Sequence, residues 1–342
     1  MTPDDLVKYL TAQVIDNTNL DFVAFSRQYI SWLIQQNRAP TAGDYLTALN
    51  ALIRFVGFEK IPVVEITRDF IESFGQWLKD NPLKENSNMK RAPLKYVENL
   101  RGLHNAMKKK YNDEDKGIIL IPNSPFRDLK DLDIPKRGKV KKRSLTVEQI
   151  CKLIKLPDEQ VKNSKGTNRY QIGKDCFLLS FYLMGTNSAD LYDCTDYDNG
   201  WLTYERMKVR NRREDRAEIS IEVPEDIMYL FKKYKDPSGK RTFRFHLDYA
   251  NIKNFNKAIN IGLKKVGKLI GVEDLEYYCA RHTMATIARN RLGIDKNTVH
   301  EMLNHVDEKL KITDIYIERD YKQINDANGK LIEYIRKSLT LQ

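Results

Sequence analysis

The chain has 342 residues, 41% apolar and 31% charged, a balance that excludes disordered and collagen-like classes and suits a globular protein of about two domains. Fifty-eight lysines and arginines against 47 acids give a net charge of +11, which favours a polyanionic partner, and no apolar run approaches the ~20 residues a bilayer crossing needs. The N-terminus, MTPDDLVKYL, has no signal-like region, so a cytoplasmic protein without membrane contact is expected; Cys151, Cys176, Cys194 and Cys279 form no C-x-x-C pair and read as reduced thiols.

The first 110 residues read as four amphipathic helices. Phe22, Phe25, Tyr29, Trp32 and Leu33 recur at helical spacing, as do Leu46, Leu49, Ile53 and Val56 before Gly57. Phe70, Ile71, Phe74, Trp77 and Leu78 follow a Thr67 cap, and Leu94, Val97, Leu100, Leu103 and Met107 follow Pro93. These stripes, aromatics included, are expected to form the core of a bundle. The fourth helix also carries Lys95, Arg101, Lys108, Lys109 and Lys110, so one face can pack while the other meets phosphates.

Periodicity lapses after Phe126. Residues 136–143, KRGKVKKR, read as an exposed basic linker, dividing a helical domain (1–135) from a second domain (144–342). Thr146 and Gln149 supply a capping box for the next helix, and CFLLSFYLMG, residues 176–185, reads as a buried helix. Trp201–Arg206 and Ala217–Val223 read as strands around a polar turn, and helices resume at Pro224.

Basic residues cluster three times: eight between Lys84 and Lys110, six of eight between Lys136 and Arg143, and Arg206, Lys208, Arg210, Arg212, Arg213 and Arg216. One such run is usually a solvated face; three make DNA or RNA the leading partner. Familiar catalytic motifs are absent. His300 and His305 are five apart, about 140° around a helix, where a zinc-protease pair needs four, so no metal site is expected. There is no phosphate-binding glycine loop and no G-x-S-x-G.

What remains is an ordered set: Lys208, then YCARHT at 278–283, LNH ending at His305 and ITDIY ending at Tyr316. On these residues the sequence resembles the tyrosine recombinase (phage integrase) family, specifically integrases of Bacteroidetes mobile elements. The resemblance implies a mainly α protein, with an N-terminal helical core-binding (SAM-like) bundle and a C-terminal catalytic domain that is mostly helical with a small antiparallel sheet. It implies site-specific DNA strand cleavage and rejoining through a 3′-phosphotyrosyl intermediate, no cofactor, and four protomers on paired sites of double-stranded DNA.

Residue by residue, the resemblance makes Tyr316 the nucleophile, Arg281 a phosphate clamp, Lys208 the proton donor to the leaving oxygen and His305 a hydrogen-bonding group on the scissile phosphate. Tyr278 stands where many members have histidine, and Tyr321 is a rival nucleophile by proximity. A second arginine expected in a G-x-R-x-x-[ED]-L stretch is missing: the run here is MGTNSADL, with Asn187 in its place and Asp190 keeping the acidic position. Lys174, then Arg169 or Arg210, are the candidate substitutes. DNA contacts are expected from Lys95, Arg101, Lys108, Lys109, Lys136, Arg137, Lys139, Lys141, Lys142 and Arg143. His282 is read as structural through a buried hydrogen bond, and His104, His246 and His300 as packing or surface residues. The helix from Tyr321 to Leu339 can pack on its own domain or dock on a neighbouring subunit. The rival reading is an inert, sequence-specific DNA-binding protein on the same fold. Helices that begin almost at once suggest no arm-binding module, tilting the expectation toward an invertase or simple transposon recombinase.

Overall fold

The computed structural model describes residues 20–81, 93–134, 144–159, 168–305 and 320–341, and the chain divides into two compact units, Met1–Val140 and Lys141–Gln342.

Among the described residues of the first unit, four helices enclose one core: α1 (Phe22–Gln35), α2 (Ala39–Val56), α3 (Arg68–Asp80) and α4 (Pro93–Tyr111). Their ends are chemically marked. Asp21 accepts the Val23 N–H at 2.9 Å, Thr67 accepts that of Phe70 at 3.2 Å, and α2 stops at Gly57, whose φ of +83° suits a residue without Cβ. Phe22, Leu33, Leu49, Leu52, Phe74, Leu100 and Leu103 are fully buried. Two expected core positions are exposed: Trp32 at 46% and Leu46 at 43%. Their stripes are wider than the face the neighbouring helices cover, and Trp32 instead stacks on Tyr29, with ring centroids 5.4 Å apart. On α4, Tyr96, Val97, Leu100, Leu103, His104 and Met107 face inward while Lys95, Arg101, Lys109 and Lys110 are exposed. Lys108 departs from the basic face: its ammonium donates to the Asn123 carbonyl and the Ser124 hydroxyl, pinning the chain that follows the helix.

The second unit opens with α5 (Val147–Lys155), whose capping box closes as expected: Thr146 accepts the Gln149 N–H and Gln149 accepts that of Thr146. Helix α6 (Arg169–Tyr182) starts seven residues earlier than the apolar run suggested and has every residue from Tyr170 to Tyr182 buried. It packs against α10 (Ile252–Leu269) so closely that a Cβ on Gly262 would overlap the Arg169 carbonyl, and one on Gly173 would press on the α10 backbone. After α6 the chain reverses through Met184 and Gly185, both at positive φ (53° and 76°), into the short α7 (Ser188–Asp193).

An antiparallel sheet follows in the order β1 (Asp196–Asp198), β2 (Trp201–Glu205), β3 (Glu218–Glu222). Leu202 pairs with Ile221 and Tyr204 with Ile219, directing Leu202, Ile219 and Ile221 into the core. The two foreseen strands are each shorter than expected. Residues 206–217 leave the ladder, because Met207–Arg212 form turns and Arg216 and Ala217 adopt left-handed φ values of 52° and 54°. Lys208 therefore lies on a turn beyond the sheet. The remaining helices among the described residues are α8 (Met228–Lys233), α9 (Phe245–Asp248), α10, α11 (Tyr278–Asn290), α12 (Lys296–Met302) and α13 (Lys322–Thr340). Helix α13 buries Ile324, Leu331, Ile332 and Ile335 in its own unit's core, which takes up the apolar face that a neighbouring subunit would otherwise have used. No described helix is long and apolar enough to cross a membrane.

Candidate functional site

Three chain segments meet at Arg281. The residue sits one turn into α11, 6% exposed, and its guanidinium is held by backbone: Nη1 donates to the Gly185 carbonyl at 2.9 Å and Nη2 to the Leu303 carbonyl. Nη2 also lies 3.1 Å from Nε2 of His305. The Met184–Gly185 reversal is what lets the first carbonyl reach. A Cβ on Gly185 would stand 2.7 Å from the Arg281 Cγ, so glycine is required both for its φ and for this approach. Tyr277, Tyr204 and Ser180 lock the same reversal by hydrogen bonds to Thr186.

Because an arginine N–H can only donate, Nε2 of His305 accepts, which leaves the imidazole proton on Nδ1. Partial burial, then the charges of Arg281, Arg206, His300 and Lys208, push the His305 pKa down to about 4, so the ring is neutral at pH 7. It serves as a hydrogen-bond donor through Nδ1–H and is a weak base. His300 packs edge-on against it, with centroids 5.0 Å apart.

The turn after β2 brings more positive charge. Arg206 donates from Nη1 to the Asn304 carbonyl at 3.2 Å, while its Nε is buried and finds no partner among the described residues. Burial, and then the charge of Arg206, work against the Arg281 cation. Among the described residues, the carboxylate acting on it is Asp190. This buried carboxylate accepts the Met207 N–H at 2.9 Å and thereby fixes the turn between Arg206 and Lys208. Burial raises the Asp190 pKa against the opposing pull of the Met207 and Asn187 hydrogen bonds and of Arg206 and Arg281. No carboxylate forms an ion pair with Arg281 or Arg206 among the described residues. Among the described residues the cluster is a converging set of donors with an excess of positive charge, an arrangement suited to an oxyanion.

The candidates from sequence distribute unevenly. Arg281 and His305 are in contact, and Lys208, exposed, acts electrostatically on His305. Tyr278 is 41% exposed one turn before Arg281 and packs edge-on against His282. His282 is itself exposed, so it is not the buried structural histidine expected. Asn187 donates to Asp190 at 3.3 Å. Lys174 is 3% exposed and committed to the Leu156 carbonyl and the Asp158 carboxylate, and Arg210 is paired with Asp193 at 2.9 Å; neither is available as a substitute clamp. Arg169 is exposed at the start of α6. Tyr316 lies outside the described residues, as do Lys136, Arg137, Lys139, Lys141, Lys142 and Arg143. Sequence reasoning missed Arg206 as a member of the cluster. It missed Asn304 as well, although an asparagine before the histidine at a tight turn was a usable signal, since asparagine tolerates left-handed φ.

Among the described residues, no group of three or more histidines, cysteines or acids is placed to hold a metal ion. Residues 21–117 match the family model described as a phage integrase SAM-like domain. No curated protein matches the chain. Among solved structures, the chain is similar to the Tn1549 transposon integrase in complex with transposon right end DNA, with a TM-score of 0.54 and 13% identity over 92% of this chain and 100% of that one. It is also similar to the XerH site-specific recombinase bound to its difH substrate, with a TM-score of 0.48 and 14% identity over 84% of this chain and 78% of that one. The first of these likenesses establishes a shared fold across nearly the whole chain: a SAM-like helical unit followed by a mostly helical unit with a three-stranded antiparallel sheet.

Proposed function

We propose that the chain is a site-specific DNA recombinase that cleaves and rejoins strands through a 3′-phosphotyrosyl intermediate on Tyr316. The observation that carries this reading is the Arg206–Arg281–His305 cluster, a donor-rich site with surplus positive charge on the fold shared with a DNA-bound transposon integrase.

In the proposed step the Tyr316 phenol loses its proton to solvent or a neighbouring base and its oxygen bonds to phosphorus. The P–O5′ bond breaks, and Lys208 delivers a proton to the departing 5′ oxygen. Arg281 and the Nδ1–H of His305 steady the negative charge that builds on the non-bridging oxygens. Arg206 takes the place of the arginine that Asn187 replaces: among the cations near Arg281 it is the one with a buried donor still unspent. The exposed basic residues of α4 (Lys95, Arg101, Lys109) hold the DNA backbone. The six cations of 136–143 are assigned the same task from sequence alone, and four copies are expected on paired sites.

The test is covalent capture. Nicked duplexes made from DNA flanking the chain's own gene, end-labelled and mixed with the protein, are expected to yield a labelled adduct that survives denaturing electrophoresis and disappears in Tyr316→Phe. Retarded migration in native gels without any adduct would instead favour the inert DNA-binding reading, to which the loss of one arginine at Asn187 gives some weight.

A further inference from the structure

Asn304 holds the turn that bears Lys208 against the segment that bears His305. It is buried, and at φ 48° its side chain turns back toward the sheet. Its Nδ2 donates to the Ala217 carbonyl at 2.7 Å, and its Oδ1 accepts from Nη1 of Arg213 at 3.0 Å. Its own carbonyl accepts from Arg206 at 3.2 Å and from Arg213 at 3.4 Å. The Ala217 carbonyl also accepts the Arg206 N–H at 3.0 Å, so the two ends of the 206–217 excursion and Asn304 share one acceptor. That excursion closes through Arg216 and Ala217, two consecutive non-glycine residues in left-handed conformation. Such a pair is costly and persists where surrounding contacts over-determine it. The neighbours of Asn304 complete the link: the Leu303 carbonyl accepts from Arg281, and His305 contacts the same guanidinium.

We propose that Asn304 is a positioning residue that registers the Lys208 turn against the Arg281–His305 pair, so that protonation of the leaving group depends on its side chain. This rests on the recombinase reading above. Bonds across 87 and 91 residues of sequence converge on this one amide. Of the substitutions available, Asn304→Gly is the informative one, because glycine keeps the left-handed backbone and removes only the amide.

The experiment compares two duplexes of one cleavable sequence, one ordinary and one with sulfur replacing the 5′ bridging oxygen. A thiol leaving group, with a pKa of about 8.5, departs without a proton donor. A misplaced general acid costs on the order of 10- to 100-fold. Asn304→Gly is therefore expected to form adduct about 10- to 100-fold more slowly than wild type on the oxygen duplex and within about threefold of it on the sulfur duplex. Equal losses on both would overturn the proposal. The second arm uses Asn304→Asp, which keeps an acceptor for Arg213 and loses the donor to Ala217, alone and combined with Lys208→Ala. If Asn304 acts through Lys208, the double variant is no slower than Lys208→Ala alone; additive losses would refute the coupling. No adduct from wild type on either duplex would sink the recombinase reading itself, a result distinct from both.

Discussion

The second unit holds two partly buried sets of charges, and they are built on opposite plans. Around α6, Lys174 and Lys233 meet Asp158 and Asp175: Lys174 lies 2.9 Å from Asp158, Lys233 lies 2.7 Å from Asp175, and Gln171 and Tyr234 donate to Asp175 as well. Cations and carboxylates balance, and every partner is protein. Around Arg281 the partners are carbonyls and a neutral imidazole, a second arginine acts on it, and among the described residues Asp190 is the carboxylate that acts on the guanidinium. An ion pair that neutralises itself is structural. A buried cation left uncompensated is a place for an anion, and its own burial strengthens the attraction.

The sharpest way to separate the two is to alter one cation in each. Arg281→Lys, which keeps charge but loses the planar fork, is expected to slow adduct formation on the order of 10²- to 10³-fold. Lys174→Met is expected to leave adduct formation within a few-fold and lower unfolding stability by about 1–3 kcal/mol, since it strips the Leu156 carbonyl and Asp158 of a buried donor. Chemical denaturation and adduct assays on both variants decide it. If Lys174→Met proves to be the slower catalyst, the contrast is wrong.

Acid titration probes the neutral rings. His104, buried in the first unit, has its pKa lowered from 6.5 to about 4 by burial first and then by Lys108, and His305 is lowered likewise. Both bind a proton more readily unfolded than folded. Their stabilising contribution is thus present above pH 6.5 and is lost as pH falls through the window to about 4. For His104 the loss amounts to about 3 kcal/mol. Denaturation midpoints of wild type should drop over that window, and those of His104→Leu should drop less.

Smaller effects test the proposed substitute cation and the helix proposed to face DNA. Arg206→Gln should slow adduct formation about 10- to 100-fold, with Arg169→Gln and Arg210→Gln changing it less than threefold. Arg101→Ala and Lys109→Ala should each reduce the slope of log affinity against log salt by about one, without altering the cleaved position.

The helices were readable because their apolar spacing and caps are local: the Thr67 cap and the Thr146–Gln149 box could be named from a few letters. The site was readable where residues of distinctive chemistry stand in a fixed order, as Arg281 and His305 do. It was unreadable where placement depends on contacts across the fold. Spacing alone could not distinguish Arg206 from Arg210, four residues apart, although one acts on Arg281 and the other pairs with Asp193. Lys174 looked available because it lies near the MGTNSADL run in sequence, but the buried side of α6 directs its ammonium to Asp158. Strand β1, three residues of which two are aspartate, carries no apolar alternation to announce it.

The central claim is a phosphoester on one particular phenol, and trypsin isolates that phenol. Cleavage after Lys311 and Arg319 leaves Tyr316 as the single tyrosine of ITDIYIER, while Tyr321 falls in the separate peptide DYK. Mass spectrometry of the nuclease-trimmed, trypsin-digested adduct is expected to find the nucleotide on residues 312–319. A nucleotide on Tyr321 or on any other residue would contradict the account.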